Sequence, residues 1–184
     1  MGCHRCDREE LTDGYKIKMG FGLHHGWAIE GAVGSSKKID VTYLSPHVIM
    51  SARLESATRL FQVAILTSEE FFRRCTTKYQ RWLYRIDRVI LPGMTRPVTL
   101  YAYDEGADEN NPNMSKKTRY ASEFDQGIEN YIAGEWEDAR SDFKNCLLHR
   151  PDDPATQSLL DFMESVAIHG GEAPATWAGY RQID

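Results

Sequence analysis

No stretch of this sequence approaches the roughly 18 consecutive apolar residues that a transmembrane helix needs, and the opening residues, MGCHRC, lack the apolar core of a secretory signal. A membrane is not an expected partner, and the expected compartment is intracellular. Positive charge is in short supply too. Against 27 Asp and Glu stand 22 Lys and Arg, a net charge of −5, so no electrostatic reason exists to expect nucleic acid as a partner. There are four cysteines in 184 residues, and only Cys3 and Cys6 lie close together. Without a second Cys-x-x-Cys, this pair and His4 do not complete a tetrahedral zinc site. Gly2 followed by Cys3 matches the start of a myristoyl-plus-palmitoyl signal, but Cys6 stands where that pattern requires Ser or Thr.

What is present is apolar material enough for a core: 41% of the residues are hydrophobic and 11% aromatic. That suits one ordinary domain with an extension, or two small ones. From Tyr15 to Leu23 the run YKIKMGFGL alternates charged and apolar residues, as a strand covered on one face does. His24, His25 and Gly26 can form a turn, with Trp27 to Val33 returning as the partner strand. Histidines in such a turn are solvated, whereas Trp27, Phe71 and Phe72 are read as core aromatics. Ser35 to Asp40 then reads as a polar loop and Val41 to Leu44 as a short extended piece.

Ser45 and Pro46 read as the N-cap and first residue of a helix reaching about Phe61, because proline there forfeits only an amide the helix could not use. Met50, Leu54, Ala57, Leu60 and Phe61 form its apolar stripe, and Glu55 precedes Arg59 by four residues on another face. Val63 to Leu66 is expected as a short strand, with Thr67 or Ser68 capping a helix through Phe71 and Phe72. Strands at Leu83 to Leu91 and Val98 to Tyr103 flank the Pro92-Gly93 turn. The turn-forming run EGADENNPNMSKK is a linker. Beyond it the pattern becomes helical: Phe124, Ile128, Tyr131 and Ile132 mark one helix, Gly134 breaks it, and Trp136, Ala139, Phe143, Cys146 and Leu147 mark a second that Pro151 stops. A third is expected from Asp153 and Pro154 through Val166, followed by a tail without periodicity.

The stretch GFGLHHGWAIEGAVGSSKKIDVTYLSPHVIMSARLESATRLFQVAILTSEEFF, with YRIDRVILPGMTRPVTLYAYD, resembles the second half of class III adenylyl and guanylyl cyclase domains. Such domains read G-I/F-G-L/I-H-x-G, then G-x-I/V-G-S, a helix with N-x-x-x-R-L-E, and D-x-V-x-V/L-x-G-x-x-x-P-V-x-V/L-Y. The resemblance covers residues 16 to 104. It implies a mixed α/β (α+β) fold, a partial ferredoxin-like cyclase sheet with flanking helices. The helices that follow resemble one tetratricopeptide-like unit, with Gly134, Ala139-x-x-x-Phe143 and Pro151 as in the second half of that consensus. The expected division is an N-terminal segment 1–14, the cyclase-like half-domain 15–104, a linker 105–120, an all-α tetratricopeptide-like hairpin 121–169 and a tail 170–184. One such unit cannot bury both its faces, so it is expected to dock on the cyclase-like part or on a partner.

The resemblance also implies a site, formed between two chains. One chain's paired aspartates hold two divalent metals that activate the ribose oxygen and neutralise the triphosphate. The other supplies an Asn for the ribose, an Arg for the α-phosphate, a purine-selecting polar residue and a Lys for the terminal phosphates. The aspartates belong to the family's first half, upstream of the matched stretch, so Asp7 and Asp13 are not them. On this sequence the Arg falls on Arg53. The Asn falls on Ile49, which offers a ribose no donor or acceptor; the purine selector falls on Pro46 and the Lys on Met94. Relatives reading Y-L-S-P-N-V-N-M share Pro46, so Ile49 is the more telling change. His47 points away from Arg53, since six residues is not a whole number of turns. Arg53 alone keeps a catalytic family position, unless it is only a surface cation paired with a carboxylate.

The expectation is thus a degenerate, non-catalytic cyclase-like protein serving as an interaction or structural subunit, with a protein partner or a second copy covering its sheet. The alternative is half of a split or truncated cyclase, and a third reading is a nucleotide sensor without turnover. No cofactor is expected for this chain alone, and Mg2+ or Mn2+ only if another chain completes the site. Loss of the family's first half is expected to leave the strands at Lys16 to Leu23 and Leu83 to Leu91 without neighbours.

Overall fold

A computed structural model describes residues 18–104, 114–167 and 171–183. The expectations placed on Cys3, His4, Cys6, Gly2, Asp7, Asp13, Lys16 and the linker at 105–113 lie outside these residues. Five strands form a mixed sheet in the order β1-β4-β6-β5-β7: β1 (Phe21–Leu23), β4 (Ile65–Ser68), β6 (Val98–Tyr103), β5 (Leu83–Ile90) and β7 (Arg181–Gln182). A separate two-stranded ribbon consists of β2 (Ile29–Ser35) and β3 (Lys38–Leu44).

The helix α1 (Pro46–Phe61) forms as its sequence predicts. Ser45 Oγ accepts from the His47 amide, and Met50, Leu54, Ala57 and Phe61 are buried. Leu60, assigned to the same stripe, is 45% exposed. Gly22 explains how closely α1 lies on β1: a β-carbon there would collide with the backbone of Ser51 and Glu55. The helix ends at Gln62 in the left-handed conformation (φ 51°, ψ 38°), and Val63 N–H returns to the Thr58 carbonyl. This closing turn delays the next strand to Ile65, two residues beyond its expected start. Ser68 then caps α2 (Glu69–Phe72), its Oγ accepting from the Phe71 amide. A further short helix, α3 (Thr77–Gln80), leads into β5.

The expected hairpin between residues 15–23 and 27–33 does not form. β1 pairs in parallel with β4, Phe21 opposite Ile65, whereas β2 pairs with β3 through a turn at Ser36 and Lys37. The supposed polar loop 35–40 is therefore mostly strand. Trp27, expected in the core, is 60% exposed. Phe72 lies flat on Tyr101 of the sheet, centroids 4.1 Å apart.

β5 carries a bulge between Arg85 and Asp87. Before it Tyr84 and Ile86 face inward; after it Asp87, Val89 and Leu91 do. One extra residue reverses the alternation and brings a carboxylate inside. Three helices follow: α4 (Met114–Ala133), α5 (Trp136–His149) and α6 (Pro154–Val166). α4 begins well before the expected residue 121. Their cores and that of the sheet form one continuous cluster, in which Tyr84 of β5 meets Tyr120 and Phe124 of α4 edge-on. The helical segment is thus docked on the cyclase-like part. Asp104 and Arg150 join the two with a 3.0 Å ion pair.

Residues 171–183, expected as a featureless tail, form a strap. Trp177 packs against Tyr131, Trp136 and Phe162 and donates its ring N–H to the Tyr131 carbonyl at 3.0 Å. β7 then adds to the edge of β5, with Val89 opposite Arg181. Arg181 Nε donates to Asp87 Oδ2 at 2.7 Å, both side chains buried, and its guanidinium also reaches Ser158. The strand at Leu83 to Leu91 therefore has a neighbour on each side, contrary to expectation, and it comes from the chain's own C-terminal residues. At the other end of the sheet, β1 has β4 as its one neighbour among the described residues.

Candidate functional site

Two polar constellations flank α1. The first holds the positions singled out in sequence. Ile49 and Arg53, four residues apart and therefore on one helical face, line a shallow cavity of about 280 Å³ together with Leu60, Pro92 and Ile183. The turn after β5 closes it from the side: Gly93 is left-handed (φ 66°), and a β-carbon there would lie 2.9 Å from Arg53 Nη2. Arg53 is half-buried, and no described residue pairs with it; the nearby Glu55 is held by Arg59 at 2.7 Å. Ile49 is 53% exposed, an apolar side chain presented at the cavity mouth. Pro46 sits exposed at the helix start and does not line the cavity. Met94, partly buried, packs on the core instead. The fold thus gathers Arg53, Ile49 and the Pro92-Gly93 turn, and leaves Pro46 and Met94 outside. Chemically the cavity offers one cation and the hydroxyl of Ser56 in otherwise apolar surroundings.

The second constellation centres on His24, whose side chain is 2% exposed and not solvated as its supposed turn position suggested. Its Nδ1 lies 2.6 Å from Ser68 Oγ and its Nε2 2.7 Å from His47 Nδ1. Glu70 Oε2 approaches Nδ1 at 3.7 Å. The two rings are within 18° of parallel with centroids 4.9 Å apart. With facing nitrogens 2.7 Å apart, that separation places them edge to edge along one N–H···N bond rather than face to face. His47 also meets the edge of Trp27, and Ser45 Oγ donates to the Trp27 carbonyl at 2.6 Å.

This resembles a Ser-His pair, but Ser68 is fully buried and its Oγ is committed as a helix cap. A nucleophile needs access to substrate, so the arrangement is structural rather than catalytic. Cys146 is no candidate either: it is buried in α5, and burial pushes its thiol up to about 12. Among the described residues, no group of three or more His, Cys, Asp or Glu could hold a metal ion. Nor is any described helix long and apolar enough to cross a membrane.

Sequence reasoning noticed His47 only as facing away from Arg53 and missed its bond to His24. Nothing local in the sequence signals it; in the structure a β-carbon at Gly26 would lie 2.1 Å from His47 Cγ, so the loop approaches the ring closely. Ile183 was missed altogether because a two-residue strand leaves no periodicity to read.

No protein-family model matches the chain. In sequence it is 25% identical over 141 residues to the terminal-differentiation specific adenylate cyclase of Dictyostelium discoideum, covering 76% of this chain and 6% of that protein. It is 28% identical over 87 residues to an adenylate cyclase of Anabaena cylindrica, covering 47% of this chain and 17% of the other. The chain thus spans a small fraction of these relatives. The Dictyostelium match is longer than residues 1–104, so it runs past the cyclase-like stretch. Among solved structures, a bacterial light-regulated adenylyl cyclase aligns with a TM-score of 0.40 at 26% identity, over 52% of this chain and 26% of that one. The adenylyl cyclase CyaB from P. aeruginosa aligns with a TM-score of 0.41 at 21% identity, over 56% and 48%. At the level of the family, the sequence is similar to adenylyl cyclases.

Proposed function

We propose that this chain is a degenerate, non-catalytic nucleotidyl cyclase-like protein that acts as an interaction or structural subunit. The observation that carries this reading is the cavity at Arg53. A nucleoside triphosphate needs several polar partners, and beside Arg53 the described lining offers one polar side chain, Ser56, while Ile49, Leu60, Pro92 and Ile183 are apolar. A single guanidinium supports holding an anion; it does not supply the metal-activated attack that cyclisation requires.

The interaction role draws support from the ribbon. All fourteen residues of β2 and β3 are exposed or half-exposed. One of its faces presents Ile29, Val33 and Leu44, the other Ile39, Val41 and Tyr43. A two-stranded ribbon is marginal on its own, and apolar side chains on both faces suit a surface that a second copy or another protein covers. On the five-stranded sheet, the edge of β1 that is unpaired among the described residues offers a further pairing surface.

A second reading, half of a split or truncated cyclase whose other half brings Mg2+ or Mn2+, is favoured by one feature. Arg53, the retained family position, is left without a partner among the described residues, as a group waiting for a phosphate would be. Purified chain with ATP or GTP and manganese is expected to form no cyclic nucleotide above blank in either reading, and Ile49→Asn with Met94→Lys is expected not to rescue it. The two readings separate when a second chain carrying the family's first half, with its paired aspartates, is added. Cyclic nucleotide formed only in that mixture would favour the second reading, and activity of the chain alone, following it through size exclusion, would overturn both.

A further inference from the structure

The loop from His24 to Ala28 is the root of the exposed ribbon, and three of its residues, His24, Gly26 and Trp27, fasten it to the body. His24 reaches Ser68 on one side and His47 on the other. Trp27 is pinned to α1 twice, by its carbonyl on Ser45 and by its ring against His47. Gly26 lies so close to the His47 ring that no side chain fits between them. His47 is therefore the point through which the root leans on α1.

The facing nitrogens, His24 Nε2 and His47 Nδ1, can share one proton in either direction. Two neutral rings satisfy this, and so does a pair carrying a single extra proton, because one ring still offers a lone pair. Two protonated rings set N–H against N–H at hydrogen-bond distance and place two positive charges together, so the contact must open.

We propose that the His24–His47 contact is a proton-operated clamp on the root of the β2–β3 ribbon, holding it while the pair carries at most one extra proton and releasing it when both rings are charged. The groups facing His24 agree with this. β4 and α2 bring Ser68 and Glu70, α1 brings His47, and its own loop brings His25. Burial holds His24 below its ordinary value of 6.5; Glu70 opposes the shift, and His47 and His25 add to it. Between that lowered value and 6.5 the unfolded chain binds more protons than the folded one. The contribution of neutral His24 is thus complete above 6.5 and is lost as the pH falls through that window. The clamp stands on this geometry alone; its use in regulating a partner rests on the reading of the ribbon as the interaction surface.

Amide hydrogen exchange of the full chain tests the clamp, carried out at a concentration where light scattering finds it unassociated, with rates corrected for intrinsic chemistry. As the pH is lowered from above 6.5, amides of residues 29–44 are expected to lose roughly tenfold of their protection, the scale of one hydrogen bond, within the range over which the rest of the fold keeps its own. Residues 83–103 serve as the internal control and should hold theirs. His47→Gln keeps a polar partner for His24 that cannot titrate, and its ribbon should show no such drop. Gly26→Ala, which wedges the ring away, should show the low protection already at the higher pH. An unchanged ribbon in the wild-type chain, or the same drop in His47→Gln, overturns the clamp. If light scattering finds no association at any concentration, a second copy is excluded as the ribbon's partner while the exchange result still judges the clamp.

Discussion

Asp87 and Arg181 show how much a single residue's setting can outweigh its type. Burial pushes the Asp87 carboxyl up; Arg181 and the Arg88 amide, which donates at 2.7 Å, pull it back. The carboxylate survives inside because Arg181, held against Phe61 and Phe162, meets it directly. Removing one member of a buried pair strands the other, at a cost of about 3–5 kcal/mol. Arg181→Met is therefore expected to lower unfolding free energy on that scale. The double variant Asp87→Leu with Arg181→Met should recover most of the loss, because it strands no charge. Urea denaturation of the three proteins measures both; a double variant as unstable as the single one would show that the strap, not the charge pair, carries the energy.

At the scale of elements, α1 was legible almost whole, because a cap, a proline and an apolar stripe are local signals. Its end was not. Gln62 takes a left-handed conformation that costs a side-chain-bearing residue energy and costs glycine little. Gln62→Gly is expected to stabilise the chain by about 1 kcal/mol, which for this length raises the melting temperature by about 2–4 °C. Calorimetry decides it, and a fall in melting temperature would mean that the Gln62 side chain matters more than its backbone. The strand β5 was legible in extent but not in facing: alternation predicts Asp87 outward, and the bulge at Ile86 turns it inward. The same limit applied to β1 and β2, whose alternation and intervening glycine suggested a hairpin. Each found another partner, because pairing is chosen between strands far apart in sequence.

For the whole molecule, the helices that follow the linker are part of the core and not an appendage, and the strap of 171–183 closes the β5 edge. Among the described residues, what stays uncovered is the ribbon and one edge of β1. Association is therefore expected to run through the ribbon. Val41→Lys with Leu44→Lys, one charge on each face, should shift the light-scattering mass toward monomer at concentrations where the wild-type chain associates, with the melting temperature at low concentration unchanged. A wild-type chain that stays monomeric at every concentration and melts sharply would end the partner reading.

The sequence by itself determined α1, α5 and α6, the extent of β5 and β6, the resemblance to cyclases and the presence of Ile49, Pro46 and Met94 where that resemblance would have polar residues. These are properties of residue type and spacing, and they survive without knowledge of what touches what. Only the tertiary structure decided that His24 is buried against His47, that Arg53 has no counter-ion among the described residues, and that the last residues complete the sheet. Each of those depends on groups brought together from distant parts of the chain. A histidine between two glycines reads as solvent-exposed until the helix that covers it is in place. A two-residue strand has no period to read, and its place is fixed by a buried carboxylate 94 residues earlier in the chain.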